Sequence, residues 1–593
     1  MRNTSYKKKS TVPSIIKWET MNWKGIARYV ERLQQRIYRA ESQGNKRKVR
    51  NLQRLALRSR AVLLNSIKRV TQTNKGKKTA GVDGETALTP KERMELFQEM
   101  KEMDIRYHKP KPSHRIYIKK KNGKLRPLSI PTIKDRIYQT IAKTALEPQW
   151  EVRFEPTTYG FRPGRSCHDA VMRIYNSCSG GKKQWIFEGD FKGCFDNLNQ
   201  SYILEKIKGF PGTEAIKGWL RSGYVDNGVY EPTEEGCGQG NAISPLLANI
   251  ALTGMEELLG IRYRIARCRN RNTSHSNLTK TSLVFYADDF VIMCESKEEA
   301  MSMREKLRPY LKERGIELSE EKTKVSHISE GFDFLGFTIR RFQCQQGSKL
   351  LVRPSKESVK KLKRKMSEEL RQLHGSNVDA VIGKLNPMIT GAANYWKPMN
   401  AKKTFSEIDN HIWNITYRFL KRLHPNKGWR KWTSKRYYKP DRTGQSKDKW
   451  ILTSPVTGNQ LKKMSWTEIR RHELVAYKNS PYDKELKEYY QNREQKTFER
   501  NTIGSRQKLA KMQSYKCPLC GESIIKMDEQ LILKHKIPVC HGGTEEYRNL
   551  QLVHLLCKRI YYYRLPQKGK LADKEEIKSV CQEIRRMKLS ESI

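Results

Sequence analysis

Leu283-Val284-Phe285-Tyr286-Ala287-Asp288-Asp289-Phe290-Val291-Ile292-Met293 is a pair of apolar runs separated by two adjacent carboxylates. The pattern predicts strand, tight turn, strand, with both acids at the tip. Adjacent aspartates repel, so such a turn calls for a cation. Hard oxygen ligands favour a divalent metal ion. Alone, an Asp-Asp pair is more often a solvated turn. A third acid adds weight: Gln184-Trp185-Ile186-Phe187-Glu188-Gly189-Asp190 is another strand candidate ending in a carboxylate. Asp190, Asp288 and Asp289 on neighbouring strand ends can hold two Mg²⁺ ions, the arrangement used for in-line nucleotidyl transfer.

The chain has 593 residues, too many for one core, which predicts several domains. Its 117 Lys and Arg against 63 Asp and Glu leave a formal charge of +54. An excess that large points to a polyanionic partner, and to nucleic acid rather than membrane. No run of ~18 apolar residues occurs, so no spanning helix is expected. The stretch Met1 to Ser10 is basic with no apolar core after it, and reads as no secretory signal. Most of the 12 cysteines are scattered, as in a reducing compartment. That, with the charge, fits a cytoplasmic or nucleoid-associated protein. Only Cys517 and Cys520 form a close pair.

Ile26, Val30, Leu33 and Ile37 have helical spacing, and after Gly44 so do Val49, Leu52, Leu55 and Ile67. This predicts a basic helical hairpin. Asn74 to Gly84 reads as a loop. Arg115-Ile116-Tyr117-Ile118, Asn122-Gly123 and Leu125 to Ile130 predict a β-hairpin, because Asn-Gly suits a type I′ turn. Strands and helices then alternate to about residue 340. Val359, Leu362, Met366, Leu370 and Leu373 form one helix face, with Ser355 as N-cap and Gly375 as stop. Its other face is cationic and suits a duplex backbone. Residues 376–465 are helical and rich in Trp, Tyr, Lys and Arg, and 470–515 are strongly charged.

These blocks, in this order, resemble a group II intron-encoded reverse transcriptase–maturase. The resemblance is carried by Lys124-Leu125-Arg126-Pro127-Leu128 with Ile130-Pro131, by Gly160-Phe161-Arg162-Pro163-Gly164-Arg165-Ser166, and by Asp190-Phe191-Lys192-Gly193-Cys194-Phe195-Asp196. It continues through Gly238-Gln239-Gly240-Asn241-Ala242-Ile243-Ser244-Pro245, the Tyr-Ala-Asp-Asp turn, Leu318-Ser319 to Lys324, and Phe334-Leu335-Gly336-Phe337. It implies a multidomain α/β chain. A right-hand polymerase of fingers and palm is followed by an all-α thumb/maturase domain and a small zinc-bound ββα-metal module of the HNH type. The expected bounds are 1–84 for a helical extension, 85–345 for fingers and palm, and 346–465 for the maturase domain. A basic DNA-binding segment or linker over 466–512 and the zinc module over 513–593 complete the chain.

The resemblance also implies roles. Asp190 and Asp288 form the first Mg²⁺ pair, with Asp289 assisting, because strand neighbours point to opposite sides. Phe191 lends a backbone carbonyl to a metal, and Asp196 is structural. Phe195 corresponds to the ring that blocks a ribose 2′-hydroxyl, although its residue type alone reads as core. Lys124 and Arg126 meet the triphosphate. Gln239 and Tyr286 line the nucleotide pocket, and Gly238 stands where the family has proline, which predicts a looser loop. Leu385 to Gly391, Ala393 to Trp396, and the run from Trp413 through Tyr437 resemble the maturase domain. Trp413, Tyr417 and Leu420 are expected mostly in its helix core.

Cys517-Pro518-Leu519-Cys520 is a zinc knuckle, and His554 and Cys557 repeat its internal spacing. Together they predict a Cys3His zinc site, with Cys540 and His541 as nearby competitors. The order from Cys517 to Cys557 resembles an HNH nuclease, with His535 as general base and Asn549 as its orienting partner. Lys534 and Lys558 stand where that family carries metal ligands. A protonated ammonium repels a divalent ion, so DNA gripping with weak or absent cleavage is expected.

The functional expectation is an RNA-dependent DNA polymerase that also assists splicing and supports retrotransposition. Its partners are group II intron RNA, target DNA and deoxynucleoside triphosphates. One alternative is an RNA-binding splicing cofactor with the polymerase fold as scaffold. Another is a full reverse transcriptase–maturase with an active HNH nuclease. A free-standing reverse transcriptase is disfavoured by the maturase-like region.

Overall fold

Four antiparallel strands separate two hydrophobic cores. Lys324–His327, Trp185–Asp190, Asp289–Cys294 and Ser282–Tyr286 lie side by side in that order. Phe187, Leu283, Phe285, Phe290 and Ile292 enter one core, while Ile186, Val284, Val291 and Met293 enter the other. Side chains alternate along a strand with period two, so each strand feeds both cores. Burial on both faces is why these strands read as continuous apolar runs. Helix Cys167–Ser179 covers one face and helix Lys297–Glu313 the other. Gly189 is required by packing: a Cβ there would lie 2.1 Å from the ring of Phe290, its cross-strand partner.

This computed structural model describes residues 18 and 21–558, except 120–122, 124, 268–272, 346, 443, 445, 503, 522, 526–530 and 556. The chain divides into two compact units between Tyr482 and Asp483. The division falls inside the stretch 466–512 read as a basic segment. Before it, the chain still packs on the first unit. His472 pairs with Asp169 at 3.0 Å, and the Val475 N–H donates to the same carboxylate at 2.9 Å.

In the first unit, helices Trp23–Ser42, Lys46–Arg58 and Arg60–Lys68 replace the expected two-helix hairpin. Ser59 is the break. Its backbone is extended, and its side chain caps the third helix by accepting the Val62 N–H. Leu55, expected in the core, is 42% exposed. A second sheet runs Leu125–Ile130, Ser113–Lys119, Tyr224–Asp226, Val229–Glu231. Gly123 has φ +81°, as its turn requires, whereas Asn122 lies outside the described residues. Helix Lys356–Gln372 is capped by Ser355, with Val359, Met366 and Leu370 buried. Helices Val378–Trp396 and Lys402–Leu423 follow. Leu420 is buried as expected, but Trp413 is 40% exposed and so not a core residue. Among the described residues no helix is long and apolar enough to cross a membrane.

The second unit holds helices Lys487–Asn501 and Gly504–Met512 and a hairpin of Leu531–His535 with Leu550–His554. Its core is small, centred on Phe498, Leu509, Ile524, Leu552 and Val553.

Glu155 and Glu256 are neighbouring acids in the first unit. Glu155 accepts the N–H groups of Gly254 and Glu256 at 3.0 and 2.8 Å. Burial, then the charge of Glu256, pushes its carboxyl from 4.5 to about 7. The native state therefore holds a proton that the unfolded chain releases between those values. Stability falls as pH rises through that window and is fully reduced above it. Glu155→Gln keeps an acceptor oxygen without the charge. It should raise the melting temperature of the full chain at pH ~8 and leave it little changed at pH ~4, as thermal melts at the two pH values would show.

Candidate active site and metal centre

Tyr286 pairs directly with Asp289, so Ala287 and Asp288 are the two central residues of the turn. Ala287 takes φ +59°, a left-handed conformation that costs energy for any residue with a Cβ. The neighbouring chain braces it. Tyr159 N–H donates to the Phe285 carbonyl at 2.9 Å, and Phe285 N–H to Thr157 at 3.0 Å. Gly160 lies against the turn itself, where an added Cβ would sit 2.3 Å from the Ala287 nitrogen. Asn249 Nδ2 fixes Gly160 by donating to its carbonyl at 2.8 Å. The segment from Thr157 to Gly160 thus holds the acidic turn in place.

Asp190 is the register partner of Asp289. Burial, followed by the charges of Asp288 and Asp190, pushes the Asp289 carboxyl up to about 7, and it shares a hydrogen bond with Asp190. The residue seated against Asp190 is therefore Asp289, while Asp288 occupies the turn corner. Lys322 acts as counter-ion: its Nζ donates to Asp190 Oδ2 at 2.7 Å. Burial alone would lower that ammonium, but the hydrogen bond and the charges of Asp190, Asp289 and Asp288 raise it. The Lys322 loop is tied alongside, with Ser319 N–H donating to the Asp190 carbonyl at 2.8 Å and Lys192 N–H to Glu317 at 2.9 Å. Sequence reasoning quoted the block containing Lys322 without singling it out. Asp190 and Asp289 are brought together, whereas Asp288 at the turn corner does not close a tight three-carboxylate cluster with them; carboxylates set side by side are hard oxygen donors whose repulsion a divalent ion would relieve.

A cleft of about 1940 Å³ opens beside Asp190 and is lined by Arg126, Phe191, Lys192 and Lys322 among others. Arg126 Nε donates to Gln239 Oε1 at 2.8 Å. Ser129 N–H donates to the Gln239 carbonyl at 2.7 Å, and a Cβ on Gly240 would lie 2.3 Å from the Ser129 carbonyl. The loop at Gly238 is also held, its carbonyl accepting from Ser244 Oγ at 3.0 Å. The looseness expected from the missing proline is absent. Phe195 is buried, and its carbonyl accepts the Cys237 N–H at 2.7 Å. Its ring meets exposed Phe161 edge-on at 6.3 Å. Phe191 is buried against Phe285 and Phe290. Tyr286 is half-buried, with its hydroxyl pKa raised by that burial. Lys124 lies outside the described residues.

In the second unit, ligand atoms of Cys517, Cys520, His554 and Cys557 all lie within 4.8 Å of one another. His554 Nδ1 is 3.4 Å from Cys520 Sγ and 3.7 Å from Cys557 Sγ. Edges of a tetrahedral zinc site are roughly 3.6 Å, given zinc–ligand lengths of about 2.0–2.3 Å. His554 Nε2 lies 3.2 Å from the Ser523 carbonyl. An outer hydrogen bond of that kind fixes the ring with Nδ1 turned to the cysteine sulfurs. Hydrogen bonds from Cys517 and Cys520, then burial, raise the Cys557 thiol well above its ordinary value. The donor set and geometry suit zinc.

The HNH-like residues are each engaged by a neighbour. His535 Nε2 lies 3.1 Å from Glu545 Oε1. Asn549 braces a loop: Oδ1 accepts the Ile537 N–H at 2.9 Å, and Nδ2 donates to Ile537 and Thr544 carbonyls at 2.9 and 2.8 Å. Lys534 is only 4% exposed, and its Nζ donates to the His535 carbonyl at 3.0 Å. Burial, then the charge of Lys558, lowers its pKa. For His541 and Cys540, only backbone placement in a short 3₁₀ turn is described.

Comparison with known proteins gives four matches along the chain. Residues 18–100 match the N-terminal domain of reverse transcriptase, and 118–339 the reverse transcriptase (RNA-dependent DNA polymerase) family. Residues 359–438 match the group II intron maturase-specific domain, and 517–563 the HNH endonuclease family. Protein YkfC of Escherichia coli is 33% identical over 311 residues, 48% of this chain and 82% of that protein. Group II intron-encoded protein LtrA of Lactococcus lactis is 33% identical over 324 residues, 45% of this chain and 53% of LtrA. The chain thus aligns with about half the length of LtrA. A solved telomerase from Candida albicans, in complex with a telomeric RNA fragment, aligns with 54% of this chain and 58% of its own. Its TM-score of 0.31 and 14% identity are too low to argue from.

Proposed function

Because this chain belongs to the reverse transcriptases encoded by group II introns, a family of RNA-directed DNA polymerases with a maturase-specific domain, we propose that it copies RNA into DNA at Asp190, Asp288 and Asp289. The single observation that carries this is the braced Tyr286–Asp289 turn set against Asp190. Two Mg²⁺ ions bound there would activate the primer 3′-hydroxyl and neutralise the leaving pyrophosphate. The chain's own residues do the positioning. Lys322 neutralises Asp190 until a metal replaces it. Arg126, oriented by Gln239, receives the triphosphate, and Phe195 with Phe161 bounds the sugar side. Residues 113–130 act as part of the fingers, the four-stranded sheet as palm, and the helices from Lys356 to Leu423 as thumb and maturase surface. That surface binds intron RNA, assists its splicing and supports target-primed retrotransposition into DNA.

The test is extension of a DNA primer on an RNA template by the purified full chain with Mg²⁺. Template-dependent cDNA is expected. Tight RNA binding without synthesis would favour the splicing cofactor with a polymerase fold as scaffold.

The C-terminal module, on the same reading, grips target DNA around a structural zinc ion and cleaves it poorly. The supporting observations are the ammonium groups of Lys534 and Lys558 where a catalytic cation would be needed, and the engagement of Asn549 in bracing its own loop. Wild-type protein should nick the second strand no faster than His535→Ala in a plasmid or oligonucleotide nicking assay. Wild-type nicking lost in that variant would mean an active nuclease.

A further inference from the structure

Beyond Trp413 the aromatic residues form one continuous chain of rings rather than scattered core positions. Trp413 stacks on Tyr417, with centroids 5.4 Å apart and planes 13° from parallel. Tyr417 meets Trp429 edge-on at 4.3 Å, Trp429 meets Tyr438 at 5.7 Å, and Tyr438 meets Trp450 at 5.8 Å. The chain is buried in the middle, at Tyr438, and open at both ends: Trp413 is 40% and Trp450 52% exposed. Trp429 begins a single π-helical turn, Trp429–Thr433, a backbone insertion found disproportionately at functional sites.

The surroundings are strongly cationic. Residues 413–450 carry 12 Lys and Arg against two acids, Asp441 and Asp448. Asp448 is already paired with Lys463. Arg418, Lys421, Arg430, Lys431, Lys435 and Arg436 are all exposed. Exposed indole rings set among cations match a strand whose bases are unstacked and whose phosphates need neutralising. In a duplex the base faces are hidden in the stack, so a ring platform gains nothing from it.

We propose that Trp413 and Trp450, the exposed ends of this ring series, stack on unpaired bases of RNA, with the inner rings holding them in place and the neighbouring guanidinium and ammonium groups on the strand's phosphates. The proposal rests on the reading of this domain as RNA-binding. It narrows the ligand to single-stranded segments such as loops and bulges. RNA is favoured over DNA because the platform continues the segment matching the group II intron maturase domain.

The test uses the full chain, preloaded with excess unlabelled primer–template so that the polymerase cleft is filled. A fluorescently labelled 12-nucleotide single-stranded RNA is then titrated. Trp413→Ala and Trp450→Ala should each weaken binding by roughly 5- to 150-fold, the range for loss of one base–aromatic stack. Trp413→Phe should recover most of the affinity, and a blunt-ended RNA duplex with no unpaired bases should bind all four proteins alike. Thermal melts identify a variant that has lost its fold. In that event Trp413→Phe and Trp450→Phe, set against Trp413→Leu and Trp450→Leu of matched melting temperature, give the same contrast. Unchanged binding by the alanine or leucine variants overturns the platform. So does equal loss on the duplex, which would indicate a general defect, and so does the same dependence on single-stranded DNA, which would remove the assignment to RNA. Wild-type protein that copies a template yet binds no single-stranded RNA under these conditions would remove the RNA-binding reading itself.

Discussion

Asp288→Ala is expected to reduce single-turnover nucleotide incorporation by roughly 10³-fold or more. Metal stabilisation of charge in the transition state is worth several kcal/mol, and each 1.36 kcal/mol is about a factor of ten in rate. Primer–template affinity should change little, because phosphate contacts from a chain of formal charge +54 dominate it. The loss should also persist in Asp288→Asn, which preserves size and hydrogen bonding while removing the charge. Lys322 sharpens the expectation. With one carboxylate fewer, its ammonium and the remaining acids approach neutrality without any metal, so the drive to bind Mg²⁺ weakens. Single-turnover incorporation and filter binding of the same preparations measure both quantities. Retention of more than about a tenth of the wild-type rate, against the thousandfold loss that ligand removal implies, would exclude Asp288 as a metal ligand.

Cys517→Ser should unfold the second unit. Among the described residues its core is a handful of side chains around Phe498, Leu509, Ile524, Leu552 and Val553, with Cys517 itself among them. A core that small does not hold a domain without a staple. Structural zinc in small modules contributes an apparent ~10–16 kcal/mol near neutral pH, more than such a module could replace. Limited proteolysis should degrade the chain beyond Tyr482 while leaving a resistant fragment ending near it. Treating the wild type with a strong chelator should have the same effect, and added Zn²⁺ should reverse it. A second unit that stays resistant in the variant would show that the four ligands are not its staple.

How much of this could be read beforehand depended on the range of the interactions. The acidic turn was legible because its two strands are contiguous in sequence and buried on both faces, so apolar run, turn and apolar run is already the structure. The Cys517, Cys520, His554 and Cys557 cluster was legible because two pairs repeat one spacing. Lys322 was not, because its partner Asp190 is 132 residues away and nothing local marks that lysine among so many. Ser59 was missed because a one-residue extended break barely disturbs helical periodicity, yet it splits one expected helix into two. Trp413 sits at a helix-compatible apolar position but is left 40% exposed, and periodicity carries no information about the neighbour. The packing of 466–482 on the first unit was equally invisible, since polar contacts such as Asp169 with Val475 leave no apolar pattern.

The central claim is that Asp190, Asp288 and Asp289 form a divalent-cation site at the point of synthesis. Mn²⁺ binding, followed by electron paramagnetic resonance on the full chain with primer–template and a non-hydrolysable deoxynucleotide, tests it most directly. The account predicts a spin-coupled Mn²⁺ pair in the wild type that disappears in Asp288→Ala. Wild-type protein with no coupled pair, or a variant that keeps it, would contradict the account.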